Sequence, residues 1–402
     1  MPGHTRQFEV SSGLVKLGWD VDLFASDFNL TIRKYLKPNK LFYLFERIKN
    51  VNLHWLWVIP YRKNNWLRIL NWISFSAHIA IRLIPYGIYL RLIKKAPDVI
   101  VYSSPQLPAA WITSIICRIL NTPFVVEIRD LWPQALIDQA GISEEKLLVK
   151  ILKWMEGSIY KFASEVIVLA KGSQEYVRKR GAKNVSWLPN GADLIQFFYV
   201  EPKFHEDYFK IIYFGAHGEA NSLITLVQAA RILETKKEYT IGKNIIIDIV
   251  GDGPEKPMLI QMAAGLKNLK FIDPISKDLV PNLISKSNAV VITLKNVKLY
   301  SYGVSPNKLY DAYAIGRPVI TAITGDINDE VKSEGIGLTA KSEDYEELAE
   351  SIFKISNLDE NILEGMGIKA RKLAEKRYSR QLVIDKYNTI LNSLIKKDHP
   401  YS

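Results

Sequence analysis

Short runs of β-branched and apolar residues alternate with helical patterns along most of the chain. Strands that alternate with helices are typical of βαβ units, in which a parallel sheet is covered on both faces. The pattern therefore predicts an α/β protein with two doubly wound domains, one in each half. The strands predicted in the first half are Val21–Ala25, Val99–Ser103, Phe124–Ile128, Val166–Ala170 and Val185–Leu188. Those predicted in the second half are Ile211–Phe214, Ile245–Val250, Leu269–Ile272, Ala289–Leu294 and Val319–Ala322.

Residues 188–210 interrupt this alternation. The turn Pro189-Asn190-Gly191 opens the segment and little periodicity follows it, which indicates a linker. The chain of 402 residues is also longer than one hydrophobic core usually organises. We expect domains over residues 1–195 and 205–381, with a helix of residues 382–402 packing back on the first. Any ligand is expected at the carboxyl ends of strands, in the crevice between domains.

The sequence opens in the middle of a βαβ pattern. The amphipathic segment Thr5–Leu17, the turn residue Gly18 and the strand Val21–Ala25 resemble the helix and second strand of such a unit. We therefore expect the first strand of the sheet, and the loop that follows it, to be missing from this sequence.

Charge is distributed unevenly along the chain. The whole chain has 53 Lys and Arg against 42 Asp and Glu, a net charge of +11. Residues 31–100 contain 13 basic and 2 acidic side chains, so this segment carries the entire surplus. Tryptophans 55, 57, 66 and 72 are interleaved with these cations. Such a mixture suits a surface that faces anionic lipid headgroups, and the alternative is a solvated basic face over an ordinary aromatic core.

The most hydrophobic stretch of the chain is Trp66–Lys95. Three arginines interrupt it and Pro85 is expected to break it, so it is not predicted to span a membrane. Its apolar residues recur at helical spacing, which predicts a long amphipathic helix that packs on a core or lies in a membrane interface. The single cysteine, Cys117, excludes a disulfide within the chain. The first residues lack an apolar signal segment, so a cytoplasmic location is expected.

The sharpest chemical signal is the segment Ser301–Ala322. Ser305, Pro306 and Asn307 are typical of a helix N-terminus, and Lys308 falls in the first turn, where the helix dipole disfavours a cation. An anion such as a pyrophosphate, bound at that terminus beside Lys308, would account for this lysine. The alternative is an ordinary surface helix. The turn that contains Gly215 could bring backbone N–H groups to the same anion, although a glycine at such a turn is common.

Three stretches together resemble the retaining glycosyltransferases of family 4. They are VEIRDLWPQAL at 126–136, VSWLPNGADLIQF at 185–197 and SPNKLYDAYAIGRPVI at 305–320, and their order and spacing match over nearly the whole chain. The resemblance implies the GT-B fold, in which two Rossmann-like domains face a central cleft. The amino-terminal domain binds the acceptor and the carboxyl-terminal domain binds the nucleotide sugar.

Within that family the chain looks most similar to bacterial enzymes of O-antigen, capsule or exopolysaccharide synthesis. The resemblance implies a hexosyltransferase that moves a sugar, expected to be an N-acetylated amino sugar, from a UDP-sugar to a saccharide acceptor linked to undecaprenyl diphosphate. It would act at the inner face of the cytoplasmic membrane as a peripheral protein. The sequence contains no DxD pair in a suitable loop, so neither a metal nor another cofactor is expected.

The resemblance also assigns individual residues. Asp130, Arg129 and Lys308 are expected to be catalytic, because they fall where the reacting sugar and its leaving phosphate would lie; the alternative for Arg129 and Asp130 is an ion pair that closes a strand end. The residues expected to bind the donor are Gly215, Asp273, Ile275, Ser305, Asn307, Lys308, Asp311, Gly3 and Arg6. Those expected to face the membrane or the acceptor are Arg33, Lys34, Lys37, Arg62, Lys63, Trp66 and Arg68.

Two departures from the family pattern and two other functions bear on this prediction. The family's E-x7-E motif has Gly303 and Asp311 at its ends here, and the loop after Gly215 lacks the usual cations.

A sugar-nucleotide epimerase with the same fold would need no acceptor, but it would leave the basic aromatic segment unexplained. A nucleic-acid-binding protein would explain the net charge, but the sequence contains no nucleic-acid motif, so no nucleic-acid partner is expected.

Overall fold

The structure is a computed structural model. It describes residues 6–29, 34–36, 42–61, 66–93, 95–240 and 242–398. The chain divides into two compact units, Met1–Pro189 with Val383–Ser402 and Asn190–Leu382. The division falls inside the turn Pro189-Asn190-Gly191 that the sequence singles out.

The first unit combines short sheets with helices of very different length. Its strands are β1 (Asp22–Ser26), β2 (Phe28–Asn29), β3 (Lys34–Tyr35), β4 (Tyr43–Ile48), β5 (Val51–Leu56), β6 (Ile100–Ser103), β7 (Phe124–Ile128), β8 (Glu165–Val168) and β9 (Val185–Trp187). Its helices include α1 (Arg6–Lys16), α2 (Trp66–Leu92), α3 (Leu107–Leu120), α4 (Gln134–Ala140), α5 (Leu147–Phe162) and α6 (Ser173–Lys179). Strands β6, β7, β8 and β9 form a parallel sheet in that order.

A second sheet of this unit has the order β1-β5-β4, and its hairpin was not predicted. Strand β5 pairs parallel with β1 and antiparallel with β4. The two residues between β4 and β5, Lys49 and Asn50, have φ of 48° and 61°, as a type I′ hairpin turn requires. Trp55 lies in β5 and is only 4% exposed, and its indole N–H donates to Glu46 at 2.9 Å. This tryptophan of the basic segment therefore belongs to the core rather than to a lipid-facing surface.

Helix α2 runs without a break through Pro85, so the prediction that this proline ends the helix was wrong. By length and composition the helix could cross a membrane, a criterion that core helices of other proteins also meet. It packs against α3, and Asn71, Ser76, Ile79 and Gly87 form its buried side. Its other residues are half-buried or exposed.

The second unit is a doubly wound domain. Its strands are β10 (Tyr208–Phe214), β11 (Asn244–Val250), β12 (Leu269–Ile272), β13 (Ala289–Thr293), β14 (Val319–Ala322) and β15 (Gly337–Ala340). Its helices are α7 (Leu223–Thr235), α8 (Lys256–Met262), α9 (Val280–Ser285), α10 (Asn307–Ile315), α11 (Asp326–Glu334), α12 (Tyr345–Ser356) and α13 (Glu360–Leu373). All six strands are parallel in the order β12-β11-β10-β13-β14-β15, so the order reverses between β10 and β13.

All ten strands predicted from the sequence are present, with ends that shift by at most three residues. The positive φ of Gly18, 96°, fits the helix end predicted there. Strand β15 was missed because its sequence, GLTA, lacks an apolar run. A side chain at Gly337 would collide with the carbonyl of Val319, so the close approach of β15 to β14 requires this glycine.

The last helix, α14 (Arg380–Asp398), returns to the first unit. Its buried residues Val383, Tyr387 and Leu391 share a core cluster with α1, β7 and β8. A buried group of hydrogen-bonded polar side chains lies beside this cluster. Glu127 at the end of β7 accepts hydrogen bonds from Arg6 Nε at 3.0 Å and from the Tyr387 hydroxyl at 2.7 Å.

We predict that Glu127→Ala destabilises the first unit by about 3–5 kcal/mol, because it leaves the buried Arg6 charge without its partner. All nine tryptophans lie in residues 1–189, so urea unfolding followed by tryptophan fluorescence reports this unit. Glu175→Ala is the matched control, since it removes an exposed ion pair with Lys179 and should leave the midpoint unchanged. Equal midpoints for Glu127→Ala and the wild type would contradict the prediction.

Candidate active site

A glycine turn opens the candidate site of the second unit, at the point where the strand order reverses. Gly215 follows β10 and has φ of 143°, which favours glycine, and its N–H donates to the carbonyl of Val250 in β11 at 3.0 Å. On the other side, Thr293 at the end of β13 donates to the carbonyl of Asn221 at 2.5 Å. The loop is therefore fixed to both neighbouring strands, at the position where doubly wound domains bind their ligands.

Lys308 lies against this loop. It is the second residue of α10, and its Nζ donates to the Tyr213 hydroxyl at 2.9 Å and to Asn221 Oδ1 at 2.8 Å. A Cβ added to Gly215 would come within 3.4 Å of the same Nζ. Burial lowers the pKa of Lys308 to about 7. An anion that reaches this ammonium group would therefore stabilise a charge that the protein itself compensates only weakly.

Two residues that the sequence did not single out hold the loop and the lysine together. The Tyr213 hydroxyl donates to the carbonyl of Ala216 at 2.8 Å, and Asn221 Nδ2 donates to the same carbonyl at 3.0 Å. Both residues also accept from Lys308. Tyr213 lies in a buried strand, where an aromatic residue indicates only core packing, so no sequence signal identified it. Asn221 stands in the loop in which the resemblance to family 4 implies cations.

His217 is a further site residue that sequence reasoning missed. Its side chain is fully buried, and neither ring nitrogen has a hydrogen-bond partner among the described residues. A Cβ at Gly251 would lie 3.1 Å from its Nε2, and a Cβ at Gly253 would collide with its backbone. The two glycines therefore make room for His217. Burial, and then the charge of Lys256, lowers the pKa of His217, which favours the neutral ring.

The other residues of the second unit that were predicted to bind the donor have varied surroundings. Ser305 Oγ accepts from the Asn190 N–H at 3.1 Å and lies 3.1 Å from the Tyr310 hydroxyl, so its oxygen already has protein partners. Asn307 is exposed at the first position of α10, and Asp311 is half-buried one turn later.

Two further residues follow β12. The carboxylate of Asp273 is exposed and accepts from Lys256 Nζ at 2.7 Å, a contact that holds its pKa below the usual range. Ile275 is half-buried. Of the residues predicted to bind the donor, the structure brings Gly215 and Lys308 into direct proximity.

Charged residues of the first unit gather at the carboxyl ends of β6 and β7. Arg129 donates through Nη1 to Gln7 Oε1 at 3.4 Å, and its backbone N–H donates to Ser104 Oγ at 2.9 Å. Burial lowers the pKa of Arg129, while the nearby carboxylates Glu127 and Asp130 act in the opposite direction. Asp130 itself is exposed. This edge of the sheet therefore presents an accessible carboxylate beside a fixed guanidinium.

Arg6 has a different setting from the phosphate contact expected of it. Its Nε binds Glu127, while Nη1 and Nη2 donate to the carbonyls of Pro189 and Leu188 at 2.7 and 3.1 Å. The side chain is only 8% exposed, and its N–H groups already donate to oxygens inside the first unit. Gly3 lies outside the described residues.

The residues predicted to face the membrane or the acceptor are only partly described. Lys34 is exposed in β3, and Trp66 is 65% exposed at the start of α2. Arg68 is half-buried and packs against tryptophan rings. Four of the predicted residues lie outside the described part of the chain: Arg33, Lys37, Arg62 and Lys63. In the described part, no group of three or more His, Cys, Asp or Glu residues is placed to hold a metal ion.

Two family models match the chain. The model described as "Glycosyl transferase 4-like domain" matches residues 3–191, and "Glycosyl transferases group 1" matches residues 208–357. Among curated proteins, the chain is similar to the capsular polysaccharide biosynthesis glycosyltransferase CapM of Staphylococcus aureus, with 26% identity over 210 residues. This match covers 49% of the chain and 50% of CapM, so the chain spans about half the length of this relative.

Solved structures are similar over a larger share of the chain. Sucrose-phosphate synthase from Thermosynechococcus elongatus has a TM-score of 0.71 at 16% identity, over 98% of this chain and 94% of that one. Anabaena HepE in complex with UDP has a TM-score of 0.62 at 15% identity, over 86% and 87% of the two chains. At these identities the likeness shows a shared fold.

Proposed function

Because this chain belongs to the family 4 type of glycosyltransferases, which have the GT-B fold, we propose that it transfers a sugar from a UDP-sugar during the synthesis of a cell-surface polysaccharide. The observation that carries the proposal is the contact between Lys308 and the Gly215 loop. A backbone turn and a half-buried ammonium group at the switch point of a doubly wound sheet suit the diphosphate of a nucleotide sugar. The match to CapM and the UDP bound by HepE support the class of product and of donor.

The proposed chemistry depends on stabilising the leaving group. Breaking the bond between the sugar and the diphosphate places negative charge on the phosphate and positive charge on the sugar ring. Lys308, which contacts the Gly215 loop, stabilises the first charge, as fixed donors do in other enzymes. Asp130, oriented beside Arg129, stabilises the second or orients the acceptor hydroxyl. We propose that the transfer retains the anomeric configuration, with the acceptor attacking on the face from which the phosphate departs and the phosphate taking the acceptor's proton.

The proposed acceptor is a saccharide linked to undecaprenyl diphosphate, and the proposed donor sugar is an N-acetylated amino sugar. The protein would work as a peripheral protein on the anionic inner surface of the cytoplasmic membrane, without a metal. An apolar stripe along α2 supports this location, and its members Trp66, Ile69, Ile73, Ile81, Ile88 and Leu92 are between 44% and 78% exposed. A soluble protein seldom leaves so many large apolar side chains on one helix face uncovered.

Incubation with UDP-N-acetylglucosamine, with and without a synthetic undecaprenyl-diphosphate-linked saccharide, tests the proposal. We expect an extended acceptor and UDP only when both substrates are present. A 2-epimer formed from the donor alone would show an epimerase instead. Retention of RNA or DNA that weakens with salt, together with no sugar transfer, would favour a nucleic-acid-binding protein.

Lys308→Met should lower the turnover of donor at least ~100-fold, the usual cost of removing one fixed group that stabilises the transition state. The measurement is the rate of UDP release at saturating acceptor. Lys332→Met, at an exposed position on α11 of the same unit, is the matched control and should keep the wild-type rate. A near wild-type rate for Lys308→Met would remove this lysine from the mechanism.

Donor binding should weaken as the pH rises above 7. The pKa of Lys308 in the free protein is about 7, so the side chain is mostly neutral at pH ~8.5, whereas a bound diphosphate favours the ammonium form. Binding must therefore take up a proton in this range, and the affinity for UDP-N-acetylglucosamine should fall about tenfold between pH ~7 and ~8.5. Calorimetry in two buffers with different ionisation enthalpies measures the uptake.

Lys308→Met supplies the control for this pH dependence, since it removes the titrating group. Its affinity for UDP-N-acetylglucosamine should be low at both pH values and nearly independent of pH. Proton uptake that persists in this variant would assign the effect to another group.

The apolar stripe of α2 provides the test of membrane binding. Ile73→Glu combined with Ile81→Glu should weaken binding to phosphatidylglycerol vesicles at least ~10-fold, because two exposed side chains would no longer enter the interface. The affinity for UDP-N-acetylglucosamine should not change. Ile362→Glu, at a similarly exposed position in the second unit, is the control. Unchanged sedimentation of the double variant with vesicles would mean that α2 does not face the membrane.

A further inference from the structure

Arg68 packs against two adjacent indole rings in the first unit. Its guanidinium carbon lies 5.2 Å from the ring centroid of Trp72 and 5.5 Å from that of Trp132. The two rings are 5.4 Å apart and nearly perpendicular, with an angle of 88° between their planes. Contacts of this kind restrict a guanidinium group and leave its N–H edges as the directions in which it can bind.

One of those N–H groups is buried and unused. Arg68 Nε has no hydrogen-bond partner among the described residues, although it is shielded from solvent. Leaving a buried donor of a charged group without an acceptor is costly. In this first unit the arginine contrasts with Arg6, whose three nitrogens all have protein partners. Arg68 as a whole is half-buried rather than buried, so part of its side chain remains open to an anionic group from a ligand.

The location of Arg68 is that of a substrate site. Trp132 lies two residues after Asp130, in the loop at the carboxyl end of β7, and Arg68 lies in the first turn of α2. The first turn of this 27-residue helix contains no acidic side chain, so the positive end of the helix dipole and the arginine charge act together. An anion bound here would lie at the same edge of the sheet as Asp130, where open α/β sheets bind their ligands.

We propose that Arg68, held by Trp72 and Trp132, binds the diphosphate of the lipid-linked acceptor. The assignment rests on the proposed function, and it names the part of the acceptor that this chain recognises. A planar guanidinium group matches two phosphate oxygens at once. The apolar stripe of α2 continues from this point, since Ile69 and Ile73 are 46% and 52% exposed. A prenyl chain attached to the diphosphate can therefore follow the helix into the bilayer.

Calorimetry with geranyl diphosphate, a soluble prenyl diphosphate, tests the site. Saturating UDP is present throughout, so that the donor site is filled. Arg68→Gln should weaken binding about 10- to 100-fold, which is the contribution of a charge-assisted hydrogen bond pair. Arg82→Gln is the matched control, because Arg82 lies on the same helix and also packs on an aromatic ring, that of Tyr43 at 4.1 Å. Equal affinities for Arg68→Gln and the wild type would overturn the proposal.

Two further measurements separate the alternatives. Short-chain phosphatidylglycerol below its micellar concentration replaces geranyl diphosphate in one arm, and binding of this lipid with the same dependence on Arg68 would assign the site to a membrane headgroup instead. Trp132→Phe and Arg68→Lys guard against misfolding, because each keeps a ring or a charge, and we expect intermediate affinities from both. Wild-type affinity in both variants would contradict the proposed geometry.

The measurements distinguish a failure of the proposed Arg68 site from a failure of the proposed transferase reaction. If geranyl diphosphate binds in an Arg68-dependent way but no sugar is transferred, the diphosphate site stands and the proposed transferase reaction fails. If transfer occurs and Arg68→Gln leaves the KM for the lipid-linked acceptor unchanged, the reaction stands and the site fails.

Discussion

The first unit depends on the hydrogen bonds of one buried carboxylate, that of Glu127, near the carboxyl end of β7. Burial alone would raise the pKa of Glu127, but the charge of Arg6 and the hydroxyls of Tyr387 and Ser103 more than offset this, so the carboxylate stays ionised. These partners come from α1, α14 and β6, and Arg6 also binds the carbonyls of residues 188 and 189. These hydrogen bonds therefore form only when α1 and α14 have both packed against the sheet. They fix the end of β7, from which Arg129 and Asp130 extend.

The second unit is organised around a cation rather than a carboxylate. Lys308 has hydroxyl and amide oxygens as partners, and neither of these carries a negative charge. Two neutral acceptors cannot compensate for the loss of water around an ammonium group, which explains the low pKa of Lys308. The same two acceptors, Tyr213 and Asn221, also bind the carbonyl of Ala216 and so fix the loop. The loop and the charge are therefore arranged before any anion arrives, which is the condition for efficient electrostatic stabilisation.

The sequence predicts most of the fold, because buried parallel strands are continuous apolar runs and all ten of those named here are present. Prediction from the sequence fails where the same residue pattern is compatible with two different structures. The aromatic residues of the basic segment 31–100 suggest a lipid-facing surface, yet β4 and β5 form a hairpin within it and Trp55 lies in the core. Lys308 was identifiable because a cation in a first helical turn is unusual. His217 and Tyr213 were not, because their roles depend on contacts between loops distant in sequence.

Lys308 and Arg68 illustrate two ways to prepare a protein for an anion. Each cation is partly removed from water without an opposite charge, so each gains more from a phosphate than an exposed side chain would. A lysine can avoid the cost of removing its charge from water by losing its proton, and the pKa of Lys308 lies close to neutral. An arginine stays charged, so Arg68 depends on the faces of Trp72 and Trp132 instead. Alkaline pH should therefore weaken the recognition of the donor while the recognition of the acceptor diphosphate persists, which makes the two phosphate sites separable by pH alone.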